Sequence, residues 1–317
     1  MTALFFSDDG IDPAVALRTD AQSLQRAYET PEARVLMVRR GRVLVRGNET
    51  ISVAWFRPAE LRETVEPDAT TIFLGCKNGE PRFATVPTEP PVTANDRFHV
   101  PSGVDAEGYI GLYEAAMSLP PVEARLAARA AHLASWINRT HYCGTCGARM
   151  EIVDGGHKRV CANVTCRREE FPRTDPVIIT LVTHGERCLL GRQARFAPRR
   201  YSPIAGFVEP GESLETAVRR EVAEEVGLRI DRVVYRGSQP WPFPASLMLG
   251  FWARSIDDRI SLDDRELEDA QWFERADIAK IAAGDSVAKL AIALPPIGVI
   301  ARLLIEDWIA DSGELAE

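Results

Sequence analysis

The chain has 317 residues and no apolar run of the ~20 residues that a helix needs to cross a bilayer. The nearest candidate, 288–305, is interrupted by Pro295, Pro296 and Arg302. There is no excess of basic charge: 38 Lys and Arg stand against 46 Asp and Glu, for a net charge of −8. That balance argues against a protein that coats nucleic acid through bulk charge, although it leaves a local nucleotide pocket open. Six cysteines are too few for a disulfide scaffold. Asp8 and Asp9 follow a short apolar stretch with no basic residues ahead of it, unlike a signal peptide, and 313–317 match no retention or peroxisomal signal. A soluble, cytoplasmic protein that needs no membrane is the expectation. Internal repeats and low-complexity tracts are lacking too.

The composition that remains is ordinary for a globular protein: 45% apolar and 26% charged. At roughly 150 residues per domain, the length suggests two domains with room for a small module. Residues 1–137 read as a first, α+β domain. Short apolar runs at 35–38 and 43–45 flank Arg40-Gly41 as a hairpin, and 51–56, 70–74 and 83–86 are further strands. Residues 87–103 read as a loop. Val122, Leu126, Ala130, Leu133 and Ile137 recur at helical spacing behind Pro120-Pro121, a pair suited to a first helical turn. No catalytic signature stands out in this region. Cys76 and Cys188, isolated in apolar surroundings, read as buried free thiols.

Residues 138–173 hold the other four cysteines. Cys143 and Cys146 form one close pair, Cys161 and Cys166 a second, and Asp154-Gly155-Gly156 would be the tip of the hairpin between them. Two such pairs suit a tetrahedral Zn²⁺ held by four thiolates, with Gly144 and Gly147 letting the backbone turn around the metal. Two disulfides or four free thiols are the alternatives. With every position taken by sulfur, no site is left for water or substrate, so one structural zinc per chain is expected. Lys158, Arg159, Arg167 and Arg168 lie nearby, but Asp154, Glu169 and Glu170 dilute a nucleic-acid role.

From 174 to 317 the pattern is strand-rich again, with 177–182 an uninterrupted buried-strand candidate. It is followed by the most informative segment, 206–228. Pro210-Gly211 makes a turn, Ser213 is a plausible N-cap, and a helix should run to about Val226, where Gly227 stops it. Leu214, Ala217, Val218 and Val222 give that helix a buried stripe. Glu221, Glu224 and Glu225, at i, i+3 and i+4, project together. Such a trio beside an apolar stripe needs counter-charge, from Arg220 and from a hard divalent cation. A merely solvated acidic face would leave Gly206, Gly227, Glu212 and Arg220 unexplained.

This segment resembles the Nudix box, Gly-x5-Glu-x7-Arg-Glu-(apolar)-x-Glu-Glu-x-Gly-(apolar), at all nine constrained positions over 23 residues. The resemblance implies an α/β/α sandwich with a mixed sheet, and hydrolysis of a nucleoside diphosphate linked to another group. It also implies Mg²⁺ or Mn²⁺ at Glu221, Glu225 and the carbonyl of Ala205. Glu224 or Glu225 would be the base, Arg220 would orient the carboxylates, and Glu212 would support the loop.

Ser238-Gln239-Pro240-Trp241-Pro242-Phe243-Pro244-Ala245-Ser246 follows, eleven residues after Gly227. Its three prolines exclude a central strand and predict a stiff extended loop presenting Trp241 and Phe243. A rigid connection packed on the core is the alternative reading. The segment resembles the signature of the NADH pyrophosphatase branch of the Nudix hydrolases, whose members also carry an N-terminal domain and a four-cysteine module in this order. The spacing of four residues between Cys161 and Cys166 departs from the two of some members. Gln239, Pro240, Trp241, Pro242, Phe243, Pro244, Ala245 and Ser246 would then line a dinucleotide pocket, and Phe207 would stack on a base. Glu266 would be a further acidic ligand, and Ala301 would meet substrate through its backbone. Phe171 would reach the substrate of a partner subunit in a homodimer. The implied activity is cleavage of NAD(H) to AMP and nicotinamide mononucleotide, with removal of an NAD cap from RNA as the same chemistry. A hydrolase of another nucleotide such as ADP-ribose, or a non-catalytic nucleotide- or RNA-binding module, are the competing readings.

Overall fold

A computed structural model of the chain describes residues 4–7, 10–47, 50–62, 69–86, 106–262, 266–285, 287, 290 and 292–310. It divides into two compact units: Phe5–Thr174 with Pro242–Ala245, and Asp175–Trp241 with Ser246–Glu317 and Met1–Leu4. No described helix is long and apolar enough to cross a membrane.

The first unit begins with helices α1 (Val15–Thr19) and α2 (Ala21–Tyr28), the latter capped by Asp20, whose carboxylate accepts from Gln22 N and Ser23 N. A mixed sheet follows, built from β1 (Arg34–Arg39), β2 (Arg42–Arg46), β3 (Ser52–Val53), β4 (Thr70–Lys77), β5 (Glu80–Val86) and β6 (Gly108–Gly111). Its order is β3-β2-β1-β5-β4, with β6 also on β2, and β1 and β5 run parallel. The expected hairpin at 35–45 forms around Arg40 and Gly41, both in the left-handed region. The strand expected over 51–56 is shorter: only β3 joins the ladder, and Phe56 adds a single bridge to Val35 before Pro58 opens a 3₁₀ turn. Residues 87–103, expected as a loop, lie outside the described residues.

Helix α3 (Leu112–Ser118) leads to α4 (Pro121–Ile137), where Pro121 occupies the first turn as expected. The stripe of α4 that includes Leu126, Ala130 and Leu133 closes one core against Leu36, Val38, Ile72 and Leu74. Strands β7 (Met150–Val153), β8 (Lys158–Cys161) and β9 (Glu169–Glu170) form the small cysteine-bearing sheet. Cys76 is a buried free thiol, and burial pushes its pKa up.

The second unit is a sheet between helices. Its strands are β10 (Asp175–His184), β11 (Arg187–Arg192), β12 (Ile204–Phe207), β13 (Ile230–Trp241), β14 (Ser246–Ser255) and β15 (Asp269–Glu274). The order is β13-β14-β10-β11-β15, with β12 antiparallel on β10 and β14 parallel to it. Helix α5 (Leu214–Val226) buries Ala217, Val218, Val222 and Val226 against Ile178, Val182, Leu189 and Phe251. Neighbouring residues of a strand face opposite ways. Gly250 and Trp252 therefore meet helix α7 (Ile300–Ala310), which follows α6 (Arg275–Ala282). Trp252 Nε1 donates to Leu304 O at 3.0 Å, and a Cβ on Gly250 would lie 2.7 Å from Ile300 Cδ1, so any larger residue there would displace the Ile300 side chain. Cys188, within β11, is a fully buried free thiol. The result is the expected three-layer α/β/α arrangement with a mixed sheet.

One expectation is corrected. Ser238–Trp241 is not loop but the end of β13, paired from Ser238↔Leu249 to Trp241↔Ser246. β13 is the outer strand of the sheet, so Pro240 costs no ladder bond, and only Pro242–Ala245 turns between the strands.

Candidate functional site

Helix α5 starts and stops on local signals. Ser213 Oγ accepts from Thr216 N at 3.2 Å, and Gly227 ends the helix at φ 70°. Between these ends, Glu221 and Glu225 face inward and are buried, whereas the Glu224 side chain is 60% exposed. Arg220 Nη1 reaches both Glu221 and Glu224, so the trio lies on one side of the helix as the spacing suggested, with the i, i+4 pair buried and Glu224 at the solvent edge.

Arg220 ties this helix to the loop before it. Its Nε and Nη2 donate to Glu212 Oε1 and Oε2 at 2.7 and 2.9 Å, a two-pronged grip. Nη1 donates to Glu221 Oε1 at 2.8 Å and Glu224 Oε2 at 3.0 Å, and Nη2 also reaches Phe207 O at 2.9 Å. Glu212 Oε2 in addition accepts from Glu209 N at 3.0 Å. The guanidinium beside it, followed by that backbone donor, holds Glu212 down at about 2. The same contacts raise the pKa of Arg220.

Glu225 is in the opposite condition. It is 3% exposed, and no basic side chain among the described residues forms an ion pair with it. Burial, then the charges of Glu221 and Glu266, push it up to about 8. Burial also raises Glu221, partly offset by Arg220. Gly206, on β12, faces this pair: a Cβ there would lie 1.9 Å from Glu221 Cδ, so only glycine leaves room for the carboxylate against the strand. Beside it, Ala205 pairs with Ile179 of β10.

A cleft of about 270 Å³ opens here, lined among others by Ala205, Gly206, Phe207, Glu225, Trp241 and Ser246. The fold thus gathers residues from β12, α5, β13 and β14 at one place. Phe207 is 61% exposed, its ring free for stacking. Glu266, exposed just before β15, adds its charge to those that raise Glu225.

Other residues singled out in the sequence lie elsewhere. Gln239 is wholly buried; its Nε2 donates to Gly298 O at 2.9 Å, and its Oε1 accepts from Ile300 N at 2.8 Å. It clamps the backbone that opens α7, on whose first turn Ala301 is buried. Pro240 is exposed on the edge strand. Pro242, Phe243, Pro244, Ala245 and Phe171 belong to the first unit, where Phe171 is exposed. Sequence reasoning missed the loop between β11 and β12, whose Gln193, Arg195 and Phe196 line the cleft, and also Met248 and Leu267. Nothing in their spacing distinguishes them from ordinary loop and core residues.

The cysteine module is a separate centre. The Sγ atoms of Cys143, Cys146, Cys161 and Cys166 all lie within 4.8 Å of one another, with Cys143–Cys166 at 3.8 Å and Cys146–Cys161 at 3.4 Å. Bonds of ~2.3 Å to a tetrahedral zinc separate sulfurs by about 3.8 Å, so the set fits the metal. No disulfide joins any of the four, which removes that alternative. In the first knuckle, Gly147 N donates to Cys143 O at 2.9 Å and Gly147 takes φ 74°; Gly144 does not adopt a left-handed conformation. In the second, the longer spacing is absorbed by Asn163, whose Oδ1 accepts from Thr165 N at 3.0 Å and whose carbonyl accepts from Cys166 N at 3.0 Å. This is a structural zinc site.

Comparisons with known proteins agree with this geometry. Residues 172–293 match the NUDIX domain model, 138–171 the NADH pyrophosphatase zinc ribbon domain, and 32–136 the NADH pyrophosphatase-like rudimentary NUDIX domain. Over 309 residues, 95% of this chain and 93% of the other, the sequence is 38% identical to the NAD-capped RNA hydrolase NudC of Mycobacterium bovis. It is 40% identical over 221 residues, 70% of this chain and 75% of the other, to the NAD-capped RNA hydrolase NudC of Stutzerimonas stutzeri. A match at 42% identity over 203 residues, 62% of this chain, is to the NAD-capped RNA hydrolase NUDT12 of Macaca fascicularis. This chain covers 44% of that protein, less than half its length.

Proposed function

We propose a function from one premise: the chain belongs to the Nudix hydrolase family, in its NADH pyrophosphatase branch. It hydrolyses the diphosphate of NAD(H) to AMP and nicotinamide mononucleotide, and removes an NAD cap from RNA by the same cut. The observation that carries this reading is Glu225, a buried carboxyl without a cationic partner among the described residues, opening on the same cleft as Phe207 and Trp241.

Glu221, Glu225, Glu266 and the carbonyl of Ala205 are the donors for Mg²⁺ or Mn²⁺. The fit is chemical: these are oxygen donors only, and a buried cluster of like charges is stabilised by a hard cation. When bound, that cation supplies neutralisation of the diphosphate charge. Arg220 holds Glu221 and Glu224 in place through its 2.8 and 3.0 Å bonds. Glu224 or Glu225 takes the proton of the attacking water. Phe207 stacks on a base of the substrate, with Trp241 and Ser246 bounding the cleft. Gln239, through its clamp on Gly298 O and Ile300 N, positions the backbone that leads into Ala301.

In this reading residues 1–137, 138–173 and 174–317 are the N-terminal, zinc and catalytic modules of a cytoplasmic homodimer, with Phe171 reaching the partner's substrate. The test is turnover of NADH, NAD, ADP-ribose and NAD-capped RNA side by side with Mg²⁺ or Mn²⁺. Metal-dependent release of AMP and nicotinamide mononucleotide is expected. Preference for ADP-ribose, or cleavage to nicotinamide and ADP-ribose, would overturn it.

A further inference from the structure

The first unit carries a second cleft, of about 550 Å³, bounded by α1, α2, β4, β5 and the hairpin tip of the cysteine module. The tip seats closely: a Cβ on Gly155 would lie 2.9 Å from Phe73 Cβ and 3.2 Å from Arg18 Cγ. Arg18 lines this cleft, and its Nε is shut off from solvent with no hydrogen-bond partner. Arg129, half-buried on α4, likewise forms no ion pair among the described residues, and burial and then the charges of Arg18 and Arg125 pull it down to about 10.

His157 adds to the crowding. Its Nε2 donates to Phe73 O at 2.7 Å, and burial together with Arg129 and Arg18 keeps it neutral down to about pH 4. Among the described residues the one carboxylate lining the cleft is Asp154, and it already faces Lys158 Nζ at 3.4 Å. Arg18 and Arg129 thus bring to this region two positive charges that no carboxylate among the described residues pairs with, an arrangement that costs stability unless an anion completes it. Guanidinium groups suit a phosphoryl group in particular. The hydroxyls of Thr71 and Tyr28 and the carbon walls of Leu24, Phe73 and Phe83 leave room for an organic portion of the ligand.

We propose that this cleft binds a small phosphorylated molecule, with Arg18 as its direct contact and Arg129 as the second positive charge behind it. The site is independent of the Nudix cleft and of whatever that cleft hydrolyses.

The test uses the full-length, zinc-loaded protein in phosphate-free buffer with chelator too weak to strip the zinc. Inorganic phosphate and, separately, AMP are titrated while thermal stability and calorimetric binding are followed. Saturable stabilisation of the parent protein is expected, with the midpoint raised about tenfold or more in Arg18→Gln and in Arg129→Gln. Comparing each variant with its parent cancels any AMP bound in the Nudix cleft. Without phosphate, both variants should be at least as stable as the parent, because each removes uncompensated charge, and turnover of NADH should be unchanged. Arg129→Lys should restore part of the phosphate response. Equal phosphate response in parent and variants, or variants that are less stable than a parent that does not respond to phosphate, would overturn the proposal.

Discussion

The guanidinium of Arg220 grips both carboxylate oxygens of Glu212, at 2.7 and 2.9 Å, across eight residues of chain. That grip joins the loop carrying Glu212 to the helix carrying Glu221 and Glu225. Arg220→Gln should therefore disturb the carboxylates together. A lost hydrogen bond to a charged group is worth about 1.5–3 kcal/mol, so kcat should fall roughly 10–100-fold. Glu212→Gln should have a smaller effect in the same direction, because the guanidinium keeps its other acceptors. Steady-state kinetics across a Mg²⁺ titration checks both; unaltered kcat in Arg220→Gln would remove its positioning role.

Glu225→Gln should separate stability from turnover. The amide has nearly the volume of the carboxyl and never ionises in this buried site, so the melting temperature should hold or rise. Turnover should fall by about 10² or more, since a neutral amide is a poor ligand for a hard cation. Near-normal metal-dependent activity would sink the proposed site.

Phe207→Ala should act on recognition. Its ring is 61% exposed, so stability should barely change. Stacking on a base contributes roughly 1–3 kcal/mol, so kcat/KM for NADH should drop by about one to two orders of magnitude. Loss of folding, or no kinetic effect, would each contradict a stacking role.

Acid should weaken the first unit through His157. Its folded pKa, about 4, lies below the ordinary histidine value of 6.5. The unfolded chain thus binds a proton over that window and the folded one does not. The contribution of His157 is fully present above about pH 6.5 and is lost as pH falls from there toward 4. Denaturant titrations at pH 7 and pH 5 should differ by up to about 2 kcal/mol more in the parent than in His157→Asn. Parallel pH dependence in the two proteins would refute this.

Zinc should be part of the folded state. Elemental analysis should find one Zn²⁺ per chain, and Cys161→Ser, which removes a buried ligand, should lower stability before it changes any kinetic constant. Folded protein free of metal would contradict this.

Features set by local rules were legible in the residues alone. Ser213 and Gly227 bound α5 because capping is decided within one turn of chain, and Pro121 opens α4 for the same reason. The four cysteines announced their centre because two close pairs on a hairpin leave thiolates few other ways to meet. The acidic helix was legible in its spacing, and so was the family.

Whatever depends on partners distant in sequence was not. Spacing put Glu221, Glu224 and Glu225 together, but the sheet decided which two are buried, and burial is what lifts Glu225 to about 8. The reason for Gly206 appears only when β12 lies against the Glu221 carboxyl. Proline content argued for a loop at 238–246, but pairing with β14 makes half of it an edge strand, since a missing N–H costs nothing on an open edge. Gln239 spends its amide on the start of α7, some sixty residues away in the chain. Arg18 and Arg129, on separate helices, carry no mutual signal in the sequence; their shared positive charge exists only because folding brings them to one place, where low exposure strengthens what water would screen.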